Sequence, residues 1–239
     1  MLKYITIVIF AVMIVMNWLA NALPMNNVTT GQLSNSYPNL FVPAGITFSI
    51  WGIIYLLLAL YCVVQFTTPS QKEVSVIALP FAVTCLLNGL WIVAWHYRQL
   101  PLSLLIMLGL LALLIYINMS VKHLPFGIIK SAFGIYLGWI CIATIANVTA
   151  LLVNMNLRGY LLSEEVWTIV MIAAGTLIVA ITIYRLENPF IGLSVIWAFT
   201  GIIIKRQDDY KSILYAALAG ALIETVITVI AFLRKSFTS

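Results

Sequence analysis

Residues 136–147 read YLGWICIATIAN. The run is apolar enough to sit in lipid, yet Tyr136, Trp139, Ala143 and Asn147 recur in it at spacings of three, four and four. On an α-helix those spacings place all four on one face. The remaining positions are mostly aliphatic. The segment therefore reads as a membrane helix that keeps one stripe for aromatic and polar contacts.

The composition supports that setting. Of the 239 residues, 63% are hydrophobic and 8% are charged, and the mean hydropathy is +1.10. Twelve basic and seven acidic side chains are too few to clothe a soluble domain of this length. With lipid as solvent, backbone groups must be satisfied within each segment, and long apolar runs do this as helices. The expected fold is an all-α polytopic membrane protein. The net charge of +5 comes from basic residues scattered singly between apolar runs. That is no nucleic-acid footprint, and the residues read as interface anchors. Cys62, Cys85 and Cys141 lie inside apolar runs with no CxxC pairing. They suggest neither a disulfide frame nor a zinc site.

A spanning helix needs about 20 mostly apolar residues. Eight segments qualify: 5–23, 44–66, 74–95, 101–121, 131–153, 165–184, 189–204 and 211–233. The seventh is the shortest, and a re-entrant piece is its alternative. The first also has the basic start, apolar run and Ala20-Asn21-Ala22 of a cleavable signal, but Trp18 and two asparagines near its end favour a retained helix. With the N-terminus inside, Lys3, Lys72, Lys122, Lys130, Arg185, Arg234 and Lys235 face the cytoplasm. Arg98, Arg158, Lys205, Arg206 and Lys211 lie outside, so the orientation signal is slight. The longest connection, Pro24 to Pro43, is polar but uncharged. It reads either as a lid or as a solvated connector.

Other helices carry stripes like that of 136–147. Phe81, Thr84, Asn88, Trp91 and Trp95 recur at helical spacing in the third span, and Phe48, Trp51, Tyr55, Ala59 and Cys62 in the second. Asn17 and Asn21 share a face of the first. An amide facing hydrocarbon would lack partners at a cost of several kcal/mol. Asn88 and Asn147 are therefore expected to face other helices or a cavity. Two alternatives stand beside a ligand cavity: inter-helix packing glue, and interfacial tryptophans, which suits Trp18, Trp95 and Trp167.

The run YLGWICIATIAN resembles the fifth helix of the translocator protein family, also called TspO or tryptophan-rich sensory proteins. The matching residues are Tyr136, Leu137, Trp139, Ala143, Thr144 and Asn147. Pro43 with Ser49 to Tyr55 (SIWGIIY) resembles the family's second helix, and Leu86 to Trp91 (LLNGLW) its third. The resemblance covers about residues 1–155. It implies a five-helix bundle there, with three additional helices over 156–239. The chain departs from the family at Val42-Pro43-Ala44-Gly45, where a second proline and a tryptophan are usual, and at Ser49, which replaces a proline. No steroid-recognition pattern follows the fifth helix, because no basic residue comes soon after Tyr160. Leu114, Tyr116 and Lys122 fit that pattern elsewhere.

The resemblance implies a membrane receptor, sensor or carrier in a bacterial cell membrane, binding a porphyrin, haem-type or sterol-like molecule without covalent attachment. A homodimer is implied by analogy alone. Carried over by position, Trp139 and Ala143 form a floor with Asn147 near by, and Trp51 and Tyr55 form a wall. Tyr136 and Phe48 belong to the same faces, Asn88 and Trp91 shape the bundle, and Asn39 to Pro43 cap it. No side chain suits axial haem ligation, since His96 and His123 read as solvated loop residues. Glu224 sits in mid-span, where a carboxylate is expensive and often functional. It reads as a buried acid bonded to another helix, or as the coupling group of a proton-coupled secondary transporter. Ala216, Ala217, Gly220 and Ala221 before it suit close helix contact. The absence of HExxH, GxSxG or a clustered Asp/His set makes an enzyme the weakest reading.

Overall fold

The computed structural model describes residues 2–23, 25–157 and 162–236. The Asn21 and Lys235 side chains, Arg158 and Tyr160 lie outside that description. Among the described residues the α-helices are α1 (Leu2–Ala22), α2 (Thr30–Asn35), α3 (Ile50–Val64), α4 (Gln71–His96), α5 (Leu100–Ser120), α6 (Ile128–Asn154), α7 (Glu164–Leu186), α8 (Phe190–Arg206) and α9 (Lys211–Ser236). The protein is all-helical. Among the described residues seven segments are long and apolar enough to cross a membrane: α1, α3 with the 3-10 turn before it, α4 to α7, and α9. The segment expected to be the shortest span is α8. Its 17 residues make a helix about 25 Å long, and its two ends are anchored at opposite ends of the bundle, as described below.

Local chemistry sets the helix ends. The Ser163 hydroxyl accepts from Val166 N at the start of α7, with Glu164 and Glu165 in the first turn and Arg185 in the last. These charges oppose the helix dipole at both ends. Pro101 lies in the first turn of α5, where no N–H is required. Pro80 lies inside α4 without ending it.

The central helix is α6, which packs on α3, α5, α7 and α8; α4 joins α1 to α5, and α9 covers α7 and α8. The α6–α8 contact depends on Gly138, where a methyl group would strike the Ile191 carbonyl. Buried residues from α1 through α9 form one continuous core. At the small-residue stretch of α9, Gly220 lies against Phe199 and Thr176.

Two readings are corrected, those of His96 and Lys130. His96 is not solvated: it closes α4 fully buried, with Nδ1 2.7 Å from the Ile92 carbonyl and Nε2 3.5 Å from the Thr30 hydroxyl. His123 is exposed, 3.0 Å from Glu73. Lys130 is also buried rather than a surface charge, and its ammonium donates to the carbonyls of Lys122 at 2.8 Å and Glu187 at 2.9 Å. Beside it, Asn188 Nδ2 donates to Asn118 Oδ1 at 2.8 Å and to the Lys130 carbonyl at 3.0 Å, while Asn118 Nδ2 donates to the Phe133 carbonyl at 3.0 Å. This polar knot joins the ends of α5 and α7 to the starts of α6 and α8.

Candidate functional site

From the middle of α6 toward its other end the stripes from three helices meet. Trp51 stands edge-on to Trp139 (ring centroids 6.2 Å) and to Tyr136 (6.0 Å), and stacks on Tyr55 at 5.5 Å. Phe48 meets Trp139 at 6.1 Å. Across from them Trp91 stacks on Trp95 at 5.7 Å. Such pairs hold one another in place and leave indole faces and edges toward the middle.

Two adjoining hollows lie among these rings. The inner one, about 60 Å³, is lined by Pro43, Phe48, Trp51, Trp91, Trp139, Ala143 and Asn147, with Trp95, Asn39 and Phe41. The outer one, about 590 Å³, lies between α1 and α3 and is lined by Ile14, Asn17, Trp18, Phe48, Trp51, Tyr55 and Trp91. Thr30, Phe48, Trp51 and Trp91 line both. Small-molecule pockets usually enclose about 300–1,000 Å³, a range that the outer hollow meets and the inner one falls below.

Of the ten residues that the resemblance places at the site, eight (Pro43, Phe48, Trp51, Tyr55, Trp91, Trp139, Ala143 and Asn147) border one of the two hollows, and Asn88 and Tyr136 border neither. Asn17 Nδ2 donates to Asn88 Oδ1 at 2.7 Å, and Asn88 Nδ2 donates to the Tyr136 hydroxyl at 3.0 Å. This chain ties α1 to α4 and α4 to α6 below the hollow. Trp95 departs from the interfacial reading. It is 5% exposed and lines the inner hollow, whereas Trp18 is 64% exposed.

The unpartnered polar groups on the lining residues of the inner hollow are all of one kind. The indole N–H groups of Trp91, Trp95 and Trp139 and the Asn147 amide nitrogen are buried without a hydrogen-bond partner. Asn147 Oδ1 already accepts from Ser103 Oγ at 3.1 Å. All four unpaired groups are donors. Leaving one buried donor unmet costs about 1–3 kcal/mol, and all four donors belong to residues that line the inner hollow. Among the described residues no group of three His, Cys, Asp or Glu side chains could hold a metal.

The polar connection after α1 forms the lid. Thr29 and Gln32 make a reciprocal cap at the start of α2. Asn39 Oδ1 then accepts from the backbone of Phe41 and Val42, both at 3.1 Å, and folds 39–43 inward. Helix α8 holds this lid from outside the first five spans. Ala44 N donates to the Gly201 carbonyl at 2.9 Å, and Trp197 Nε1 to the Thr47 carbonyl at 2.9 Å. Arg206 donates to the carbonyls of Leu40 at 3.1 Å and Asn39 at 3.3 Å, and pairs with Asp209 at 2.9 Å. A side chain at Gly201 would collide with Thr47 and Pro43. Neither Arg206 nor Trp197 carried a local signal for this role, because their partners lie about 150–170 positions away in the chain.

Comparison with curated proteins and with solved structures gives no match. A family model described as TSPO-like protein matches residues 3–230 and so runs through α7, α8 and into α9. The helices beyond the fifth span are thus part of the matched pattern, in keeping with α8 clamping the lid. The chain is an integral multi-pass membrane protein and belongs to the TSPO-like protein family.

Proposed function

We propose that this protein is a receptor, sensor or carrier that binds a tetrapyrrole or a similarly large, flat, mainly apolar molecule in the joined hollows, in a bacterial cell membrane. The observation that carries this reading is the set of four partnerless donors, on Trp91, Trp95, Trp139 and Asn147, bordering one space. Stacking on Trp51 and Trp139 supplies the apolar contacts. Acceptors on the rim of the guest, such as carboxylate or carbonyl oxygens, meet the donors and set its orientation. Titration of the purified protein with protoporphyrin tests the reading. Saturable quenching of tryptophan fluorescence is expected, weakened about tenfold or more by Trp139→Ala. Quenching that rises linearly without saturation contradicts it.

A second reading, a proton-coupled secondary transporter of a small molecule, is favoured by Glu224. This carboxyl is fully buried in α9, and both its oxygens lack a hydrogen-bond partner. The Thr228 hydroxyl one turn further on is likewise buried and unmet. Intramembrane acids of this kind often mark proton paths. Glu224→Gln should then abolish uptake driven by a pH gradient in vesicles while leaving protoporphyrin quenching intact. Undiminished uptake removes Glu224 from coupling.

A further inference from the structure

A second concavity, about 650 Å³, lies between α7 and α9 at the end of the bundle away from the aromatic hollows. Its walls are aliphatic: Ile183 on α7, and Ile227, Ile230 and Ala231 on α9. Its mouth is basic. Arg185 from the last turn of α7, Arg234 from the last turns of α9 and Lys122 after α5 border it, with Glu187 as the single acid. Glu187 is paired with Lys122 at 2.9 Å. Three basic groups and one acid therefore border the mouth.

Rigid elements hold this mouth in shape. Glu187 adopts a left-handed backbone conformation (φ 49°) that ends α7, and its carbonyl accepts from the buried Lys130 ammonium at 2.9 Å. Phe126, Phe190 and Phe232 meet pairwise at 5.2–5.8 Å and fasten the end of α9 to the α5–α6 connection and to α8. The charge of the two membrane faces differs in the same sense. Among the described residues the end carrying this mouth has six basic residues and two acids, Glu73 and Glu187, and the other has four basic residues and four acids, Glu164, Glu165, Asp208 and Asp209.

The geometry points to a binding site for one anionic glycerophospholipid, its phosphate at Arg185 and Arg234 and an acyl chain along the aliphatic groove between α7 and α9. Charge complementarity selects an anionic headgroup over a zwitterionic one, because each basic group near a membrane surface favours anionic lipid by about 1 kcal/mol, or about fivefold. The apolar walls select a lipid over a free anion. The site is separate from the aromatic hollows and does not depend on what they bind.

The test is lipid retention. Purified protein is equilibrated with mixed detergent micelles containing equal phosphatidylglycerol and phosphatidylcholine, and the lipid carried through gel filtration is measured per chain. About one phosphatidylglycerol should be retained in preference to phosphatidylcholine, by about tenfold or more. The preference should fall to near parity in Arg185→Gln/Arg234→Gln. It should persist in Lys3→Gln/Lys72→Gln, which removes the same charge from the same face outside the groove. Ala231→Phe, which fills the apolar wall and keeps every charge, should also release the lipid. Equal retention of both lipids, equal losses in the two double variants, or displacement by millimolar inorganic phosphate would overturn the assignment. A single symmetric gel-filtration peak and an unchanged thermal midpoint identify the folded variants.

Discussion

The two ends of α6 carry similar polar residues and use them in opposite ways. Near its start, Asn118, Lys130 and Asn188 donate to one another's carbonyls or to neighbouring backbone at 2.8–3.0 Å. From its middle toward its end, Trp139 and Asn147, with Trp91 and Trp95 of α4, carry donors with no acceptor. A satisfied buried network stiffens a fold, whereas an unsatisfied one leaves interaction energy for something else. The first end is structural. The second keeps its donors unmet.

The contrast is broken most severely at the satisfied end. Asn188→Ala removes two donated bonds and the acceptor for Phe190 N. It strands buried partners and should cost about 2–4 kcal/mol of stability. A marked fall in the thermal midpoint in detergent is expected, with ligand affinity unchanged in the protein that stays folded. At the other end the order reverses. Trp139→Phe deletes a donor that is unmet in the unliganded protein and keeps an aromatic ring. It should leave the midpoint nearly unchanged, yet weaken protoporphyrin binding by about 1 kcal/mol, roughly fivefold. If Trp139→Phe destabilised the protein as much as Asn188→Ala, the two ends would not differ in kind.

The lid gives a third comparison. Arg206→Gln keeps the hollow intact and removes the guanidinium that binds Leu40 and Asn39. Stopped-flow dissociation should quicken about three- to tenfold, with a smaller change in association, because affinity changes within one site fall mostly on release. The smallest effect is expected at Asn88. Its bonds to Asn17 and Tyr136 are inter-helix amide contacts inside a membrane bundle, which average about 0.6 kcal/mol and reach about 1.7. Asn88→Leu should lower the thermal midpoint slightly and spare binding.

Much of the architecture is visible in the residues themselves. Apolar runs separated by charged punctuation locate the long helices, and the three- and four-residue spacing of Phe48, Trp51, Trp91, Trp139 and Asn147 puts each on the correct face. Spacing gives a face but not the neighbour across from it. Asn88 and Asn147 look alike in the chain, yet Asn88 is consumed by Asn17 and Tyr136 while Asn147 keeps its amide nitrogen unmet. His96 and Lys130 read as surface groups because they adjoin charged connections. The fold buries both by offering carbonyls. The clamp of α8 on the lid was not legible at all, since it arises from contacts between segments far apart in sequence.

The central claim is that the hollow's donors are empty-handed until a guest arrives. Nitrogen-15 labelling of the indoles and heteronuclear NMR with and without protoporphyrin examines this group by group. The N–H signals of Trp91, Trp95 and Trp139 should move downfield on binding. Those of Trp167, outside the hollow, and Trp197, already bonded to the Thr47 carbonyl, should stay in place. Signals that all remain unmoved at saturating protoporphyrin, or that shift equally at all five positions, would contradict the account.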